Sequence, residues 1–479
     1  MGDVTNRFVH HPRRGPRTLD KAERLAGFGE VYRPFAGDEA AGQSSRCAQC
    51  GVPYCQSACP LHNNIPDWLN LAAQERWEDA WRLSSATSAL PEICGRICPQ
   101  DRLCEGACVL DQSGWEGVTI GSVEKTLGDM AFDNGWVDAL TPLTETGQSV
   151  AVVGAGPAGL AAADRLRALG HAVTIYDRYD RAGGLLTYGI PGFKLEKEVV
   201  ERRVRRLAEG GVAFTLNFEI GRDASLDDLR DQHDAVLLAI GVNAARRLTV
   251  PGAGSEGLVA ALDYLTASNR KGFGDAVPAF DSGRLNADGR RVVVIGGGDT
   301  AMDCVRTAVR QGAASVVCLY RRDRAGMPGS RREVEHAETE GVRFEWQAAP
   351  RAILGDARTV TGVRAVRTRP APATGEGRAG LSEIVGSEFD LPADLVIDAL
   401  GFDCEDLRAL LTAPDLAVAK GGEVALPAGG TMTSIPGVFA AGDIVRGASL
   451  VVWAVKDGQD AAADIDAWLQ ARVQLRAAE

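Results

Sequence analysis

Cysteine spacing constrains this sequence more than any other feature, because eight of its eleven cysteines fall between residues 47 and 108. They form two groups of four, and the first group is followed directly by Pro60. Thiolates on such short turns converge on one inorganic centre, and in two-cluster proteins the last cysteine of a run can ligate the other cluster. The spacing therefore predicts two [4Fe-4S] clusters. The eight positions are Cys47, Cys50, Cys55, Cys59, Cys94, Cys98, Cys104 and Cys108.

Disulfides and structural zinc are the alternative interpretations of these cysteines. The first twenty residues contain no apolar core of the signal-peptide type, so we expect a cytoplasmic protein in a reducing compartment, where disulfides do not persist. Zinc remains an alternative, although only Cys47 and Cys50 form the two-residue pair that zinc sites favour. Three further cysteines in apolar segments are predicted to be small buried hydrophobes: Cys304, Cys318 and Cys404.

Length and charge limit the remaining classes of protein. A chain of 479 residues predicts about three domains. The net charge of -12 argues against nucleic-acid binding, which needs a basic surface, and we find no apolar run long enough for a membrane span. The arginine-rich stretch from Arg202 to Arg206 is predicted to be a solvated helix face.

The first 140 residues are predicted to be mainly helical. From Ile65 to Leu83 apolar residues recur at helical spacing, and the tryptophans Trp68, Trp77 and Trp81 are expected to pack in a core. Pro142 and Gly147 mark a linker over residues 141–148.

A dinucleotide-binding motif follows the linker. An apolar strand from Ser149 to Val153 leads into a glycine-rich turn and an alanine-rich helix, and a second strand ends at Asp177. The glycines allow a tight turn and a close approach to a pyrophosphate, the helix N-terminus binds phosphate, and the acid binds ribose hydroxyls. The predicted binding residues in the turn are Gly154, Gly156, Pro157, Ala158 and Gly159.

A second copy of this motif begins at Arg291 and ends differently. Its second strand ends in Arg321 and Arg322 instead of an acid, and arginine at this position accommodates a 2'-phosphate. This copy is therefore predicted to bind NADPH in preference to NADH. The predicted residues of its turn are Gly296, Gly298, Asp299, Thr300 and Ala301.

Two further segments assign FAD to the first copy. Gly184 and Leu185 follow the first motif, and an apolar strand near the C-terminus delivers Gly442 and Asp443, whose carboxylate suits a ribityl hydroxyl. A helix beginning near Ser449 is expected to point its positive end at the flavin ring.

Two other apolar strands that end in glycine suggest crossings between the dinucleotide-binding units. They predict an α/β fold in which a helical double iron-sulfur domain (1–140) precedes two Rossmann-like domains, with the NADPH domain (256–400) inserted into the FAD domain (141–255 and 401–479).

These motifs together resemble the small (beta) subunit of bacterial NADPH-dependent glutamate synthase over nearly the whole chain. Similar modules occur in the N-terminal half of dihydropyrimidine dehydrogenase. The resemblance implies two clusters with crossed ligation. One would be held by Cys47, Cys50, Cys55 and Cys108, and the other by Cys59, Cys98, Cys104 and Glu124, with Cys94 competing as the eighth ligand.

The same resemblance implies a function. NADPH would reduce FAD, and electrons would pass through the clusters to a large (alpha) subunit that carries FMN and makes L-glutamate from 2-oxoglutarate and L-glutamine. The protein would then be part of a hetero-oligomer. A stand-alone NADPH-dependent ferredoxin or sulfur oxidoreductase shares every motif, and a zinc-bearing flavoprotein is a more distant alternative.

Overall fold

Helices dominate the amino-terminal region of the computed structural model, which describes residues 6–371 and 380–478. The predicted stretch from Ile65 to Leu83 is two helices, because Glu75 adopts a left-handed conformation (φ 58°) between them. The helices of this region are α1 (Lys21–Leu25), α2 (Gly37–Ser44), α3 (Tyr54–Ala58), α4 (Ile65–Ala73), α5 (Trp77–Thr87), α6 (Pro91–Ile97), α7 (Val109–Gln112) and α8 (Ile120–Asp133), with 3₁₀ turns at Arg7–Val9 and Gln100–Arg102.

The predicted tryptophan core is confirmed. Trp68 and Trp81 are buried, and Trp77 packs against the same cluster. That cluster also contains Cys47 and Cys108, so the apolar core of the helical region is built directly around cysteines. Such a wall excludes water from whatever the cysteines hold.

The next segment, residues 149–245, alternates strands with helices. Its first strand has the bounds that the sequence predicts. The elements are β1 (Ser149–Val153), α9 (Pro157–Ala168), β2 (Ala172–Asp177), α10 (Leu185–Tyr188), α11 (Lys197–Glu209), β3 (Ala213–Leu216), α12 (Leu226–Gln232), β4 (Ala235–Leu238) and β5 (Ala244–Ala245).

Residues 258–398 repeat this alternation and then depart from it. The antiparallel strands β10 to β13 of this segment were not predicted. The elements are β6 (Leu258–Ala260), α13 (Ala261–Gly272), α14 (Pro278–Asp281), β7 (Arg291–Ile295), α15 (Asp299–Arg310), β8 (Ser315–Tyr320), α16 (Arg331–Glu340), β9 (Arg343–Trp346), β10 (Ala348–Gly355), β11 (Val360–Pro370), β12 (Leu381–Glu383), β13 (Phe389–Pro392) and β14 (Leu395–Asp398).

The carboxyl-terminal segment contains β15 (Phe402–Asp403), α17 (Leu407–Leu410), β16 (Val438–Ala440), α18 (Asp443–Arg446) and α19 (Val451–Ala478). Among the residues that the structure describes, no helix combines the length and the apolar character that a membrane span requires.

Two parallel sheets organise the chain after residue 148. The first has the order β16-β4-β1-β2-β3 and the second the order β6-β14-β7-β8-β9. All strands of the second sheet lie between β4 and β16 in the sequence, so the predicted insertion of one dinucleotide-binding unit into the other is confirmed. The domain boundaries at residues 140, 255 and 400 stay a prediction.

The arginine-rich helix α11 corrects one expectation. Arg203 is buried, not solvated, and its guanidinium donates to both carboxylate oxygens of Glu92 on α6, at 2.9 and 2.6 Å. Arg202 donates to Asp129 on α8 at 2.7 Å. One side of α11 therefore pairs with acidic residues of α6 and α8, and these ion pairs dock the helical region onto the first parallel sheet.

Candidate functional site

The first glycine turn borders a cleft of about 1150 Å³ above the carboxyl ends of β1, β2 and β4. Ligands in open α/β sheets bind at this edge. Gly154 has φ 109°, and a side chain there would collide with the carbonyl oxygen of Ala239 at 2.4 Å. Gly159 lies beneath the turn, where a Cβ would be 1.9 Å from the oxygen of Gly154. Predicted residues that line the cleft are Gly154, Gly156, Pro157, Ala158, Asp177, Gly184, Leu185 and Asp443.

The Asp177 carboxylate has a second role that sequence analysis did not predict. Its Oδ2 accepts the backbone N–H of Ala155 at 2.6 Å, and its Oδ1 accepts that of Tyr179 at 2.8 Å. Asp177 therefore ties the glycine turn to the end of β2 while it lines the cleft. Burial raises the pKa of this carboxyl above its ordinary value, and the two backbone donors oppose that effect.

The carboxyl-terminal segment closes the other side of the cleft. Gly442 precedes α18, and a Cβ on it would lie 3.0 Å from the Cβ of Ala158. The Asp443 carboxylate lines the cleft and accepts the Ser449 hydroxyl at 2.7 Å, and burial raises its pKa. Helix α19 begins at Val451, two residues after the predicted start, and its first residues face the same space.

These features fit FAD. The open side of Gly156, where a Cβ would meet no atom within 4 Å, leaves the α9 N-terminus accessible to a pyrophosphate. The α19 N-terminus provides a positive dipole end on the opposite side.

The second glycine turn repeats the first turn's backbone. Gly296 has φ 152°, and a Cβ there would meet the oxygen of Ala399 at 2.4 Å, while the side of Gly298 is open. Gly298 precedes α15, whose first turn contains Thr300 and the buried Ala301. The open N-terminus of a twelve-residue helix fits a nucleotide phosphate.

Asp299, by contrast, is engaged by the protein. Its Oδ1 accepts the backbone N–H of Ser330 at 2.9 Å, and Arg102 of the helical region lies 3.8 Å from Oδ2. The carboxylate thus holds the loop after β8 close to the glycine turn.

The predicted arginines lie where β8 ends, next to this turn. Arg321 is exposed and Arg322 is half-buried. Arg324, close behind them, forms two hydrogen bonds to Glu338 at 2.6 and 2.9 Å. These two bonds hold the Arg324 guanidinium at α16.

The cysteines divide between two cavities. An outer cavity of about 360 Å³ is lined by Cys47, Cys50, Cys55 and Cys108. An inner cavity of about 410 Å³ is lined by Cys59, Cys94, Cys98, Cys104 and Glu124. The outer set contains all four members of the predicted set, and the inner cavity brings together the other three cysteines and both candidates for the eighth ligand.

The donor chemistry of both cavities fits iron-sulfur clusters. Burial raises the pKa of Cys47 and Cys59 to about 11 and that of Cys55 to about 12, and it raises the pKa values of Cys98 and Cys104 as well. For Cys98 the hydrogen bond with Cys94 is the larger cause. Desolvated thiolates need a cationic centre to be stable, and a cluster provides one.

The competing interpretations of the cysteines fare less well. All eleven cysteines lie in the described part of the chain and all are free, which contradicts disulfides. Within residues 6–371 and 380–478, no three His, Cys, Asp or Glu side chains gather around a single metal-ion position. Tetrahedral zinc would require four ligands at about 2.0–2.3 Å from one point, and the described residues do not show such an arrangement. Cys304 and Cys318 are buried as predicted, and Cys404 is half-buried.

Glu124 on α8 is the one carboxylate among the residues that line the inner cavity. Burial raises its pKa to about 8, nearby Glu92 adds to the effect, and a hydrogen bond from Asn63 opposes it. Cys94 is buried on α6, packs in an apolar cluster with Leu90 and Val455, and contacts Cys98. Both candidates are therefore close to the cavity.

Sequence analysis missed polar residues that hold these sites in place. Asn63 lines the inner cavity, and Glu105, next to Cys104, accepts Arg13 at 2.6 Å and the backbone N–H of Gly121 at 3.1 Å. The Lys194 ammonium donates to Asp303 of α15 at 2.8 Å. Each partner is distant in sequence, so only the position of Glu105 beside a cysteine offered a signal.

Comparison with protein families agrees with this architecture. Residues 24–136 match the family described as dihydropyrimidine dehydrogenase domain II, 4Fe-4S cluster. Residues 148–458 match the family described as pyridine nucleotide-disulphide oxidoreductase. The two matches divide the chain where the helical region gives way to the parallel sheets.

Curated relatives match nearly the full length. The glutamate synthase [NADPH] small chain of Azospirillum brasilense is 59% identical over 98% of this chain and 97% of that protein. The protein of the same name from Escherichia coli (strain K12) is 45% identical over 98% of this chain and 100% of that protein.

Among solved structures, Mycobacterium tuberculosis FprA in complex with NADPH is similar over 68% of this chain and 85% of that chain, with a TM-score of 0.58 and 20% identity. This likeness shows the fold alone. From the family matches and the full-length relatives, the chain belongs to the glutamate synthase [NADPH] small-chain family and is an NADPH-dependent oxidoreductase.

Proposed function

We propose that this chain is the electron-input subunit of a glutamate synthase. It oxidises NADPH at FAD and passes the electrons through two [4Fe-4S] clusters to a large (alpha) subunit. That subunit carries FMN and makes L-glutamate from 2-oxoglutarate and L-glutamine. The observation that carries the proposal is the succession of three cavities: adjacent residues of one helix line the FAD cleft and the inner cavity, and the inner and outer cavities share Ile120.

The first step of the path lies between the cleft and the inner cavity. Leu450 and Val451, at the start of α19, line the cleft, and the next residue, Val452, lines the inner cavity. The same helix end thus lies against both sites. This arrangement supports the inner cavity as the first acceptor of electrons from the flavin.

The second step lies between the two cysteine cavities. Ile120, at the start of α8, lines both of them. Cys55 and Cys59, one from each cavity, lie four residues apart at the two ends of α3. We therefore propose the order FAD, inner cluster, outer cluster.

The outer cavity lies next to an exposed apolar surface, the exit surface, formed by Val52 (63% exposed) and Tyr54 (53% exposed). Both residues lie between Cys50 and Cys55, and Tyr54, the first residue of α3, lines the outer cavity. Exposed apolar side chains beside a functional site are typical of protein interfaces. This surface supports electron exit to the large subunit.

The residues of the two glycine turns hold the nucleotides. Bound FAD supplies the exchange between two-electron transfer from NADPH and one-electron transfer to the clusters. Gly156 and the α9 N-terminus bind its pyrophosphate, Asp177 and Asp443 orient its ribose and ribityl hydroxyls, and α19 directs its positive end toward the ring. No side-chain acid or base is required, because the transfer is between cofactors.

At the second turn, Gly298 and the α15 N-terminus bind the NADPH phosphates, and Arg321 with Arg322 binds the 2'-phosphate. The inner cluster is held by Cys59, Cys98, Cys104 and Glu124, and the outer one by the four cysteines that line its cavity. Because all eleven cysteines are free, a reducing compartment suits the chain, and we place it in the cytoplasm.

Reconstitution tests the proposed function. The chain and its large subunit are co-expressed and purified without oxygen, and glutamate formation from 2-oxoglutarate and L-glutamine is measured with NADPH. We expect a stable complex in which NADPH supports glutamate formation only when both chains are present. A chain that forms no complex and reduces ferredoxin at full rate by itself would instead support the stand-alone ferredoxin oxidoreductase.

A further inference from the structure

A hydrogen-bonded chain of three buried or cavity-lining side chains ends at Glu124. The Trp68 indole N–H donates to Asn63 Oδ1 at 3.1 Å, and Asn63 Nδ2 donates to Glu124 Oε1 at 3.1 Å. Trp68 and Asn63 are both buried, with 0% and 2% of their surface exposed. Asn63 and Glu124 line the inner cavity together with Cys59, Cys98 and Cys104.

The chemistry of the chain fixes its direction. An indole nitrogen can only donate, so Asn63 must present its carbonyl oxygen to Trp68. The amide nitrogen then faces Glu124, and the carboxylate oxygen Oε1 must accept. Among the described residues, the other oxygen, Oε2, has no hydrogen-bond partner, although Glu124 lies on the cavity wall.

Cys94 lies in a different environment. It packs against Leu90, Ile93 and Val455 in an apolar cluster, and its backbone carbonyl accepts the N–H of Cys98 within the last turn of α6. Its thiol forms a hydrogen bond with that of Cys98, and among the described residues no outer side chain comparable to Asn63 holds its sulfur. Outer residues that orient a metal ligand are a common way in which proteins select one donor over another.

We propose that Asn63, held in one orientation by Trp68, is a positioning residue that directs Oε2 of Glu124 toward the inner cluster, which Glu124 ligates in the proposed function. This inference rests on the proposed function, since it assumes that a cluster occupies the inner cavity. Asn63 is suited to the task because it donates a hydrogen bond to a carboxylate without adding a charge to the cavity wall.

The substitution Asn63→Asp tests this proposal in the full-length holoprotein. It keeps the size of the side chain but replaces the donor with a second carboxylate next to Glu124. The matched control is Asn64→Asp, the same change one residue along, at the N-cap of α4, where the side chain makes no capping hydrogen bond. Iron, acid-labile sulfide and flavin are measured per chain, and the reduced clusters are recorded by electron paramagnetic resonance.

We expect Asn63→Asp either to change the resonance of one cluster or to lower the iron content from about eight to about four per chain. The second cluster and the flavin content stay as in the wild type, and Asn64→Asp matches the wild type throughout. Trp68→Phe keeps an aromatic side chain but replaces the indole with a smaller phenyl ring that has no N–H donor, so it should change the same resonance in the same direction. It serves as the second variant if Asn63→Asp does not fold.

Exchange of the two candidate ligands completes the test. Glu124→Ala should change the resonance that Asn63→Asp changes, whereas Cys94→Ser should leave it as in the wild type. Wild-type spectra in Asn63→Asp and Trp68→Phe would overturn the inference and leave the proposed function intact. A changed spectrum in Cys94→Ser but not in Glu124→Ala would overturn the inference and the ligand role of Glu124, while electron transfer through the clusters would still stand. A wild-type protein without iron and sulfide would overturn both.

Discussion

The buried ion pair between Glu92 and Arg203 should be the strongest single contact that docks the helical region onto the first parallel sheet. The two side chains are 0% and 4% exposed and form two hydrogen bonds, at 2.9 and 2.6 Å. Glu92→Gln keeps the shape but leaves the Arg203 charge buried without a counter-charge. Breaking a buried pair in this way costs about 3–5 kcal/mol.

Anaerobic denaturant titration of the holoprotein measures this loss, with the change in free energy taken from the shift in midpoint and the mean slope. Glu78→Gln is the matched control, because Glu78 pairs with Arg82 on the exposed face of α5, where solvent screens the charges. We expect a large downward shift for Glu92→Gln and a far smaller one for the control.

A double variant separates the pair from other effects. Arg203→Met combined with Glu92→Gln removes both charges, so it should recover much of the stability that Glu92→Gln loses. Equal shifts for Glu92→Gln and Glu78→Gln would refute the reasoning, as would a double variant whose loss of stability relative to the wild type equals the sum of the two single losses.

Three further predictions follow from the sites and their surroundings. Arg321→Ala with Arg322→Ala should raise the KM for NADPH by about 100-fold or more, since charge-assisted hydrogen bonds contribute about 1.5–3 kcal/mol each. The KM for NADH should stay nearly unchanged, and equal increases for both nucleotides would reject the role of the two arginines. Burial lowers the pKa of Lys197 to about 7, so between pH 7 and 10 the unfolded chain binds one more proton than the folded chain, and folding stability rises with pH. In denaturant titrations over this range the wild type should gain stability relative to Lys197→Met. Parallel curves of stability against pH for the two proteins would contradict this. Val52→Glu on the exit surface should weaken binding of the large subunit in a pull-down or by calorimetry. Val385→Glu should not weaken it, since Val385 is 95% exposed and follows β12. Equal affinities of the two variants would argue against this exit surface.

Sequence analysis predicted the parts of the fold in which the backbone accepts only one type of residue, such as the glycine turns. Gly154 and Gly296 occupy backbone conformations and close approaches that a side chain would block, so the pattern around them located both turns. The bounds of β1 were also predicted, because this strand is a short apolar run that ends next to Gly154.

Other parts depend on partners that are distant in sequence. Arg203 belongs to a charge run that resembles a solvated face, and its burial follows only from Glu92, 111 residues earlier. The break between α4 and α5 at Glu75 interrupts an apolar pattern that continues across it. The antiparallel strands β10 to β13 carry no motif, so nothing in their residues separated them from the parallel sheet before them.

The candidate site shows the same division. The spacing of the cysteines predicted clusters, and the assignment of Cys108 to the outer set came from family resemblance, which the two cavities support. Asn63 gave no signal, because an asparagine between a histidine and a helix is an ordinary turn residue. Its importance depends on Trp68 and Glu124, which the fold brings to it.

The most direct test of electron transfer through this chain is a single anaerobic experiment on the purified protein. Iron, acid-labile sulfide and flavin are quantified, and NADPH is then added while the visible and paramagnetic resonance spectra are recorded. The account predicts one FAD and two [4Fe-4S] clusters per chain, with NADPH bleaching the flavin and electrons reaching a cluster. A flavin that NADPH reduces in a chain free of iron and sulfide would contradict it.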